Sequence, residues 1–304
     1  MRILFLGSAE IAIPSLQSIL NNPADQLVAV VSQPDRPAGR KRILTPCPLK
    51  AYAQNQNLPT LTPEKIGDAT SQLTTLKPDL IVVVAYGQYI PSTIINLAPH
   101  KAINLHPSLL PKYRGAAPIQ WAIANGDTQT GVSIIYVDKK MDAGDILNQA
   151  THPIHPNDTS ATLHNTLAQL GATLLQKTIN DIRNNTLKPT PQNENNVIEI
   201  TKLTKQDGKI DWTQPATTIR NRIRAFDPWP GTYCTLPDGS PLKIWKAEIE
   251  NANGNPGQTL DDNLLIATGK QALRLIQIQP PGKQSMPVSD YLRGHPIPKN
   301  TQLT

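Results

Sequence analysis

Five short apolar runs in the first half of the chain restrict its fold more than any other feature. The runs are rich in Val, Ile and Leu, and all but the fourth lack regular alternation with polar residues, which is typical of strands that are buried on both faces. The runs are RILFLG at 2–7, LVAVVS at 27–32, DLIVVVAY at 79–86, AINLH at 102–106 and TGVSIIYVD at 130–138. Segments with helical periodicity lie between them. This pattern predicts an α/β fold with a doubly wound, mostly parallel sheet.

The character of the sequence changes after a polar segment near residue 190. The stretch NNTLKPTPQNENNV at 184–197 contains two prolines and has no hydrophobic period, which predicts a linker. Beyond it, short apolar runs alternate with glycine and proline, which favours a small β-barrel. We therefore expect an α/β domain over residues 1–183, a linker over 184–203 and a C-terminal β-barrel domain over 204–304.

Several classes of function are disfavoured by what the sequence lacks. Cys47 and Cys234 are far apart and have no spacing typical of metal ligands or redox pairs, so we expect no metal site and a cytoplasmic location. No run approaches the ~20 apolar residues of a membrane span, so we expect no membrane partner. The turn GSAEIAIP after the first run has one glycine instead of the pattern G-x-G-x-x-G, which argues against dinucleotide binding.

The formal net charge is +6, and two groups of basic residues stand out. The groups are Arg36, Arg40, Lys41 and Arg42 after the second predicted strand, and Arg220, Arg222 and Arg224 on a predicted helix. Basic groups of this kind either contact the phosphates of a nucleic acid or are simply exposed to solvent. The sequence alone leaves both interpretations open for each group.

Asn104 and His106 end the fourth predicted strand. Side chains two positions apart lie on the same side of a strand, and ligands of doubly wound sheets bind beyond the carboxyl ends of the strands. Asp142 follows the fifth predicted strand directly, and we expect it to reach the same edge. A histidine can exchange a proton near neutral pH, an asparagine amide can stabilise an oxyanion, and an aspartate can orient an imidazole. The spacing is equally compatible with a catalytic set and with ordinary strand-end and turn residues.

Longer motifs around these residues resemble a known family. NLHPSLLPKYRGAAPIQWAI at 104–123 and DAGDIL at 142–147 are similar to the signature of the tetrahydrofolate-dependent formyltransferases. Three further stretches resemble the members of that family that act on methionyl-tRNA: QPDRPAGRKRILTPCPLK at 33–50, RGAAPIQ at 114–120 and IRAFDPWPG at 223–231. The resemblance runs nearly end to end. It implies a Rossmann-like catalytic domain followed by a barrel of the oligonucleotide-binding type.

The resemblance also implies an activity and the residues that carry it. The activity would be transfer of the formyl group of 10-formyltetrahydrofolate to the α-amino group of methionine on initiator tRNA, by direct amine attack through a tetrahedral intermediate. The implied catalytic residues are Asn104, His106 and Asp142, and the implied folate-binding residues are Ser108, Leu109, Leu110 and Pro111. For tRNA binding, the expected residues are Arg36, Arg40, Lys41 and Arg42, together with the C-terminal domain. We further expect Arg40 to be the most important of the four, and the protein to be a monomer.

Three other functions stay open at this point. A formyltransferase acting on a sugar-nucleotide amine shares the N-x-H and SLLPKYRG features, and a hydrolase that releases formate can use the same three catalytic residues. A non-catalytic RNA-binding protein would need only the barrel. The pair Ala116-Ala117, the basic segment and IRAFDPWPG favour the tRNA substrate over the sugar. The complete Asn, His and Asp set favours an enzyme over a binding protein.

Overall fold

The computed structural model describes residues 1–39 and 41–304 of the chain. The strands are β1 (Arg2–Gly7), β2 (Gln26–Val31), β3 (Arg36–Ala38), β4 (Ile43–Thr45), β5 (Thr60–Leu61), β6 (Leu80–Val84), β7 (Ala102–His106), β8 (Lys112–Gly115), β9 (Gln129–Tyr136), β10 (Ile146–Pro153), β11 (Ile198–Ile200), β12 (Thr232–Thr235), β13 (Pro241–Glu250), β14 (Leu265–Ala267), β15 (Ala272–Gln279) and β16 (Met286–Pro287). The α-helices are α1 (Ile13–Leu20), α2 (Pro48–Asn55), α3 (Thr70–Thr75), α4 (Ser92–Ile95), α5 (Pro118–Ala124), α6 (Ser160–Arg183), α7 (Ala216–Ala225) and α8 (Val288–Leu292).

Tertiary contacts divide the chain into two units. The first unit comprises Met1–Gly115, Thr130–Pro153 and His164–Glu199. The second unit comprises Ala116–Gln129, Ile154–Leu163 and Ile200–Thr304. Both units are therefore assembled from segments that are separated in the sequence.

A seven-stranded sheet with the order β10-β9-β7-β6-β1-β2-β5 forms the centre of the first unit. Its pairs β1/β2, β1/β6, β2/β5 and β6/β7 are parallel. All five residues of β6 are buried, as expected for a strand that is covered on both faces. The predicted Rossmann-like, mostly parallel sheet is confirmed, and the five predicted strands agree with the observed ones to within two residues at each end.

Strand β9 runs antiparallel to β7, with Tyr136 beside Ile103 and Ser133 beside His106. The end of β9 therefore lies away from the edge at which His106 ends β7. We expected Asp142 to reach this edge because it follows the end of the strand, and that reason was wrong. The direction of a strand depends on its pairing partners, which hydrophobic periodicity does not identify. The loop 137–145 instead starts beside Ala102, whose carbonyl accepts a hydrogen bond from the Val137 amide at 2.9 Å, and then folds back toward the site.

The second unit contains a curled antiparallel half-barrel with the strand order β12-β13-β15-β14, in which β16 pairs with β15. Helix α7 packs on this sheet through Ile219 and Ile223, which are four positions apart and therefore share one face of the helix. They belong to the same buried cluster as Leu242, Ile244 and Leu275 of the strands. The predicted C-terminal β-architecture is confirmed, as a half-barrel.

Much of the segment that we predicted as a linker pairs with the first unit. Thr190 and Ile146 exchange two backbone hydrogen bonds of 2.8 and 2.9 Å. Further along, the Ile198 amide donates to the carbonyl of Pro111 at 3.4 Å. Prolines and the lack of a period indicate the absence of a long helix or strand, but they do not exclude isolated pairing of this kind. The domain boundaries at 183 and 204 stay predictions.

None of the helices in the described part of the chain combines the length and apolar character that a membrane crossing requires. The 24-residue helix α6 is the longest of them and carries polar residues along its length. Both cysteines are free thiols, and burial raises the pKa of Cys234 to about 12.

Candidate active site

Asn104, His106 and Asp142 are brought together in the first unit. Asn104 and His106 lie on the same side of β7 because successive side chains of a strand alternate in direction. The Asn104 Nδ2 atom lies 3.4 Å from Oδ1 of Asp142, and the His106 Nδ1 atom lies 3.6 Å from Oδ2. The side chains of His106 and Asp142 are only 6% and 13% exposed, so these groups interact in a region that is largely shielded from solvent.

The hydrogen bonds of His106 determine where its ring carries protons. The Nε2 atom lies 2.9 Å from the carbonyl oxygen of Tyr113. A carbonyl oxygen can only accept, so Nε2 is protonated and donates this bond. The Nδ1 atom then faces the Asp142 carboxylate, which can accept a second bond when the ring is a doubly protonated imidazolium. The Tyr113 carbonyl and the Asp142 carboxylate can thus accept both N–H bonds of an imidazolium, which is the form of histidine that supplies a proton or stabilises negative charge.

The carboxylate of Asp142 has a further partner at the end of β8. Its Oδ2 atom accepts a hydrogen bond of 3.0 Å from the backbone amide of Gly115. Asp142 itself has φ of 51°, in the left-handed region that L-residues seldom adopt. Two positions later, a Cβ atom at Gly144 would lie 1.9 Å from the carbonyl oxygen of Tyr136. The loop therefore requires glycine at position 144 in order to hold the aspartate where it is.

Gln192, which the sequence did not identify, contacts this loop, and Arg114 contacts Gln192. Gln192 donates from Nε2 to the carbonyl oxygens of Asp142 and Gly144, at 2.8 Å each. The buried Arg114 in turn donates from Nε to Oε1 of Gln192 at 3.0 Å. We had placed residue 192 in a linker because no local pattern distinguishes it. Of these two residues, only Arg114 could have been noticed in the sequence, because it is part of the family-like motif RGAAPIQ.

The proposed folate segment Ser108–Pro111 is held by two polar side chains, the buried Ser133 of β9 and the exposed Gln149 of β10. Ser133 donates to the carbonyl of Ser108 at 2.7 Å and accepts from the amide of Leu110 at 3.1 Å. Gln149 donates to Ser133 and to the carbonyl of Leu110, at 2.8 and 2.9 Å. The side chains of Ser108 and Leu110 point inward and are buried, whereas Leu109 and Pro111 are half-buried. Leu109 and Pro111 are thus the side chains of this segment that a ligand reaches most easily.

Near the first basic group, β3 and β4 pair in an antiparallel arrangement. Arg36 lies in β3 and forms an exposed ion pair with Glu64 at 3.0 Å. Lys41 and Arg42 are exposed in the turn, as are the two apolar side chains that follow them. Arg40, the residue that we expected to be most important, lies outside the described residues. The structure leaves Lys41 and Arg42 accessible to an anionic partner.

The second basic group, on α7, is bound within the second unit. Arg220 donates to the carbonyl of Pro156 at 3.0 Å, and Arg222 donates to the carbonyl of Asp207 at 2.8 Å. Arg224 donates to the carbonyl of Asp158 at 2.8 Å, and burial lowers the pKa of its guanidinium. These arginines neither form a free basic face nor merely solubilise the helix. They satisfy backbone carbonyls around it.

Within residues 1–39 and 41–304, no three or more His, Cys, Asp or Glu side chains are grouped in a way that could hold a metal ion.

Comparison with known proteins places the chain in a family. The family model described as "Formyl transferase" matches residues 1–179, and "Formyl transferase, C-terminal domain" matches residues 202–296. Methionyl-tRNA formyltransferase from Caldanaerobacter subterraneus subsp. tengcongensis is 43% identical over 310 aligned positions that cover all of both chains. The chain belongs to the methionyl-tRNA formyltransferase family. The enzyme of the same name from Desulfotalea psychrophila is also 43% identical, over 100% of this chain and 95% of its own.

Solved structures show the same fold at lower identity. The sugar 3N-formyl transferase WlaRD has a TM-score of 0.66 at 23% identity and covers 93% of this chain and 99% of its own. HypX from Aquifex aeolicus, in complex with tetrahydrofolic acid, has a TM-score of 0.62 at 20% identity, over 96% of this chain and 47% of its own. The predicted family, fold class and enzyme class, formyltransferase, are confirmed by these matches together.

Proposed function

We propose that this protein transfers the formyl group of 10-formyltetrahydrofolate to the α-amino group of methionine on initiator tRNA. The observation that carries the proposal is the cluster of Asn104, His106 and Asp142 within one hydrogen-bonded site. It occurs in a chain that aligns end to end, at 43% identity, with proteins named methionyl-tRNA formyltransferase. The cytoplasmic location and the monomeric state stay predictions.

The reaction forms one C–N bond and breaks another. The methionine amine attacks the formyl carbon, and the carbonyl oxygen gains negative charge in a tetrahedral intermediate. Collapse of the intermediate breaks the bond to N10 of the folate, which takes up a proton, while the amine nitrogen loses one. A preorganised hydrogen-bond donor at the developing oxyanion typically contributes ~3 kcal/mol to the transition state. Asn104 supplies such a donor. His106 contributes the positive charge of its protonated ring, because both ring nitrogens already face acceptors of the protein.

The geometry of the site favours an exchange of partners when substrate binds. The contact between Asn104 and Asp142 is long, at 3.4 Å, and replacing it with a bond to an oxyanion costs little. Asp142 keeps its bond from the Gly115 amide and stays beside His106, where its charge stabilises the imidazolium. In this scheme Asp142 also helps to remove the proton of the attacking amine.

We assign the two substrates to different parts of the chain. The folate binds at Ser108–Pro111, which the Ser133 and Gln149 hydrogen bonds hold next to β7. The tRNA contacts the exposed basic hairpin in the first unit and a surface of the second unit. In the second unit, Lys243 lies 5.3 Å from the ring centroid of Trp245 on β13. A cation beside an aromatic ring suits a phosphate next to a base.

A sugar-nucleotide amine is the alternative acceptor. WlaRD, a sugar 3N-formyl transferase whose structure was determined in the presence of dTDP and 5-N-formyl-THF, shares the fold over 93% of this chain. Its identity is 23%, however, whereas the methionyl-tRNA formyltransferase from C. subterraneus is 43% identical over the whole chain. The tRNA acceptor is therefore the better supported of the two.

A single assay separates these activities. Formyl-labelled 10-formyltetrahydrofolate is offered in parallel to initiator Met-tRNA, to dTDP- and UDP-amino sugars, and to water alone. We expect label to appear on the tRNA at a rate well above that of the other reactions. Faster labelling of an amino sugar, or release of formate only, would overturn the proposed acceptor.

The catalytic assignment is tested in the same assay with Asn104→Ala, His106→Ala and Asp142→Asn. Each variant should lose at least about tenfold in kcat, because each loses a donor or a charge needed in the transition state. His100→Ala is the matched control, since it removes a half-buried histidine of the first unit outside the cluster. A cluster variant that keeps wild-type turnover per folded molecule would contradict its assigned role.

A further inference from the structure

The geometry points to Gln192, held in place by Arg114, as a positioning residue that fixes Asp142 for formyl transfer. This inference rests on the proposed function for its kinetic consequences. Gln192 has no contact with the reacting groups of the cluster, and it acts on the main chain of the loop that carries Asp142. It lies in the segment between α6 and β11, which pairs with the first unit.

Both ends of the Gln192 carboxamide are hydrogen-bonded. Its NH2 group has two protons, and these donate to the carbonyl oxygens of Asp142 and Gly144 at 2.8 Å each. Its oxygen accepts from Nε of Arg114 at 3.0 Å. The side chain thus connects both ends of the tripeptide 142–144 to a single buried cation, and the three bonds define its orientation.

The loop needs this support because its other attachments do not fix the main chain at Asp142. Lys140 forms ion pairs with Glu194 and Glu199 at 3.7 and 3.6 Å, but these are exposed and contribute little. Asp142 has φ of 51°, in the left-handed region that few residues other than glycine adopt. Its carboxylate receives one hydrogen bond of ordinary length, the one from Gly115 at 3.0 Å. The contacts with Asn104 and His106, at 3.4 and 3.6 Å, are too long to hold the loop by themselves. A strained residue keeps its conformation only where its surroundings hold it there.

Arg114 is a rigid anchor for this arrangement. Its side chain is 2% exposed, and its guanidinium binds both carboxylate oxygens of Glu194, at 2.7 and 3.3 Å. These bonds lower the pKa of Glu194, which therefore stays ionised. The next residue, Gly115, donates its amide to the Asp142 carboxylate. Two adjacent residues thus position Asp142. Gly115 binds its carboxylate directly, and Arg114 holds Gln192, which binds the main chain of Asp142.

A purely structural role for Gln192 makes a different prediction. If it only attached the segment 184–199 to the first unit, its loss would lower stability and leave the turnover of folded molecules unchanged. A positioning role instead lowers kcat, because a displacement of about 1 Å in a reacting group can cost on the order of 100-fold in rate. The binding of both substrates should change much less.

The test uses the full-length protein and the variants Gln192→Met, Gln192→Glu and Asn193→Ala. Gln192→Met keeps the length of the side chain and removes the carboxamide. Gln192→Glu keeps the contact with Arg114, but at neutral pH it has no proton to give to the two carbonyls. Asn193→Ala is the matched control, because the side chain of Asn193 bonds within its own segment, to the amide of Asn195.

We expect both Gln192 variants to lower kcat by about tenfold, with KM values for folate and tRNA within about threefold of wild type. Deuterium exchange of the peptide spanning residues 137–145 should become faster in both variants and stay unchanged in Asn193→Ala. Wild-type kcat in either Gln192 variant, or a lower kcat without faster exchange in the loop, would overturn the inference. If wild-type protein fails to formylate Met-tRNA, the proposed function fails, whereas the exchange data still report whether Gln192 holds the loop.

Discussion

The two basic segments of this protein both cluster arginine or lysine side chains, but these side chains have opposite structural roles. The hairpin of β3 and β4 exposes Lys41 and Arg42, and the side chain of Arg36 forms an exposed ion pair with Glu64. The arginines of α7 instead donate to backbone carbonyls within the second unit, and Arg224 is buried enough to lower its pKa. A group of basic residues in a sequence therefore does not by itself identify a nucleic-acid surface. The two segments differ in whether the fold places hydrogen-bond acceptors of the protein within reach of their basic side chains.

The largest effect should come from Arg224→Ala. This substitution leaves the carbonyl of Asp158 without its donor, and hydrogen bonds to charged groups contribute about 1.5–3 kcal/mol each. We expect the free energy of unfolding of the second unit to fall by roughly that amount. All four tryptophans, Trp121, Trp212, Trp229 and Trp245, lie in this unit, so tryptophan fluorescence during urea unfolding measures it selectively.

Arg220→Ala is the control for this prediction, because Arg220 is a half-exposed residue of the same helix. It should lower stability less than Arg224→Ala does. If Arg224→Ala left the free energy of unfolding unchanged and weakened the binding of tRNA to the folded protein, the structural role of the α7 arginines would be contradicted.

The next largest effect is expected for the double substitution Lys41→Ala and Arg42→Ala. Binding of Met-tRNA should weaken roughly fivefold to tenfold at low salt, because two phosphate contacts are lost. The dependence of affinity on salt should become less steep, and unfolding should be unchanged. Filter binding over a salt series measures both quantities, with the exposed Lys188→Ala as control. Equal salt dependence in wild type and double variant would rule out a phosphate contact.

The same titration extends to Arg40→Ala. We predict that its loss of affinity equals or exceeds that of either single substitution in the turn, and that it shrinks as salt rises. Unchanged binding across the salt series would remove Arg40 from the tRNA site.

A smaller effect of opposite sign is expected for Glu64→Gln. This substitution releases Arg36 from its ion pair and makes it available to phosphate. Affinity for tRNA should rise about twofold, whereas stability should change by less than about 1 kcal/mol because exposed ion pairs contribute little. Weaker tRNA binding in this variant would show that Glu64 orients Arg36 for the RNA instead of competing with it.

The smallest effect concerns acid stability of the second unit. Hydrogen bonds from Thr204 lower the pKa of Asp207, whose carbonyl is the acceptor for Arg222. A lowered folded-state pKa adds stability above the ordinary pKa of about 4, and this stability is lost as pH falls through the folded value. Asp207→Asn should therefore reduce the loss of stability seen by tryptophan fluorescence below about pH 4. The exposed Glu248→Gln should not, and equal acid slopes in wild type and Asp207→Asn would contradict this role.

The strands and the identity of the three clustered residues were predictable because they depend on local patterns. Buried strands such as β6 need continuous apolar residues, and a polar pair such as Asn104 and His106 at a strand end interrupts that pattern visibly. The direction of β9 was not predictable in the same way. Hydrophobic periodicity shows which residues are buried, but the same run fits a parallel or an antiparallel neighbour.

The sequence by itself determined the α/β sheet, the β-rich second half, the resemblance to formyltransferases and the set Asn104, His106 and Asp142. The sheet and the β-rich half follow from residue patterns that the chain carries whatever its tertiary contacts. The spacing of the three residues left their role open, and only the resemblance implied that they form a catalytic set. Only the tertiary structure showed that Gln192 and Arg114 hold the loop of Asp142, and that the arginines of α7 face carbonyls while Lys41 and Arg42 face solvent. The physical reason is that a hydrogen bond depends on the position of its acceptor. These acceptors come from segments as far as 78 residues away, as for Arg114 and Gln192.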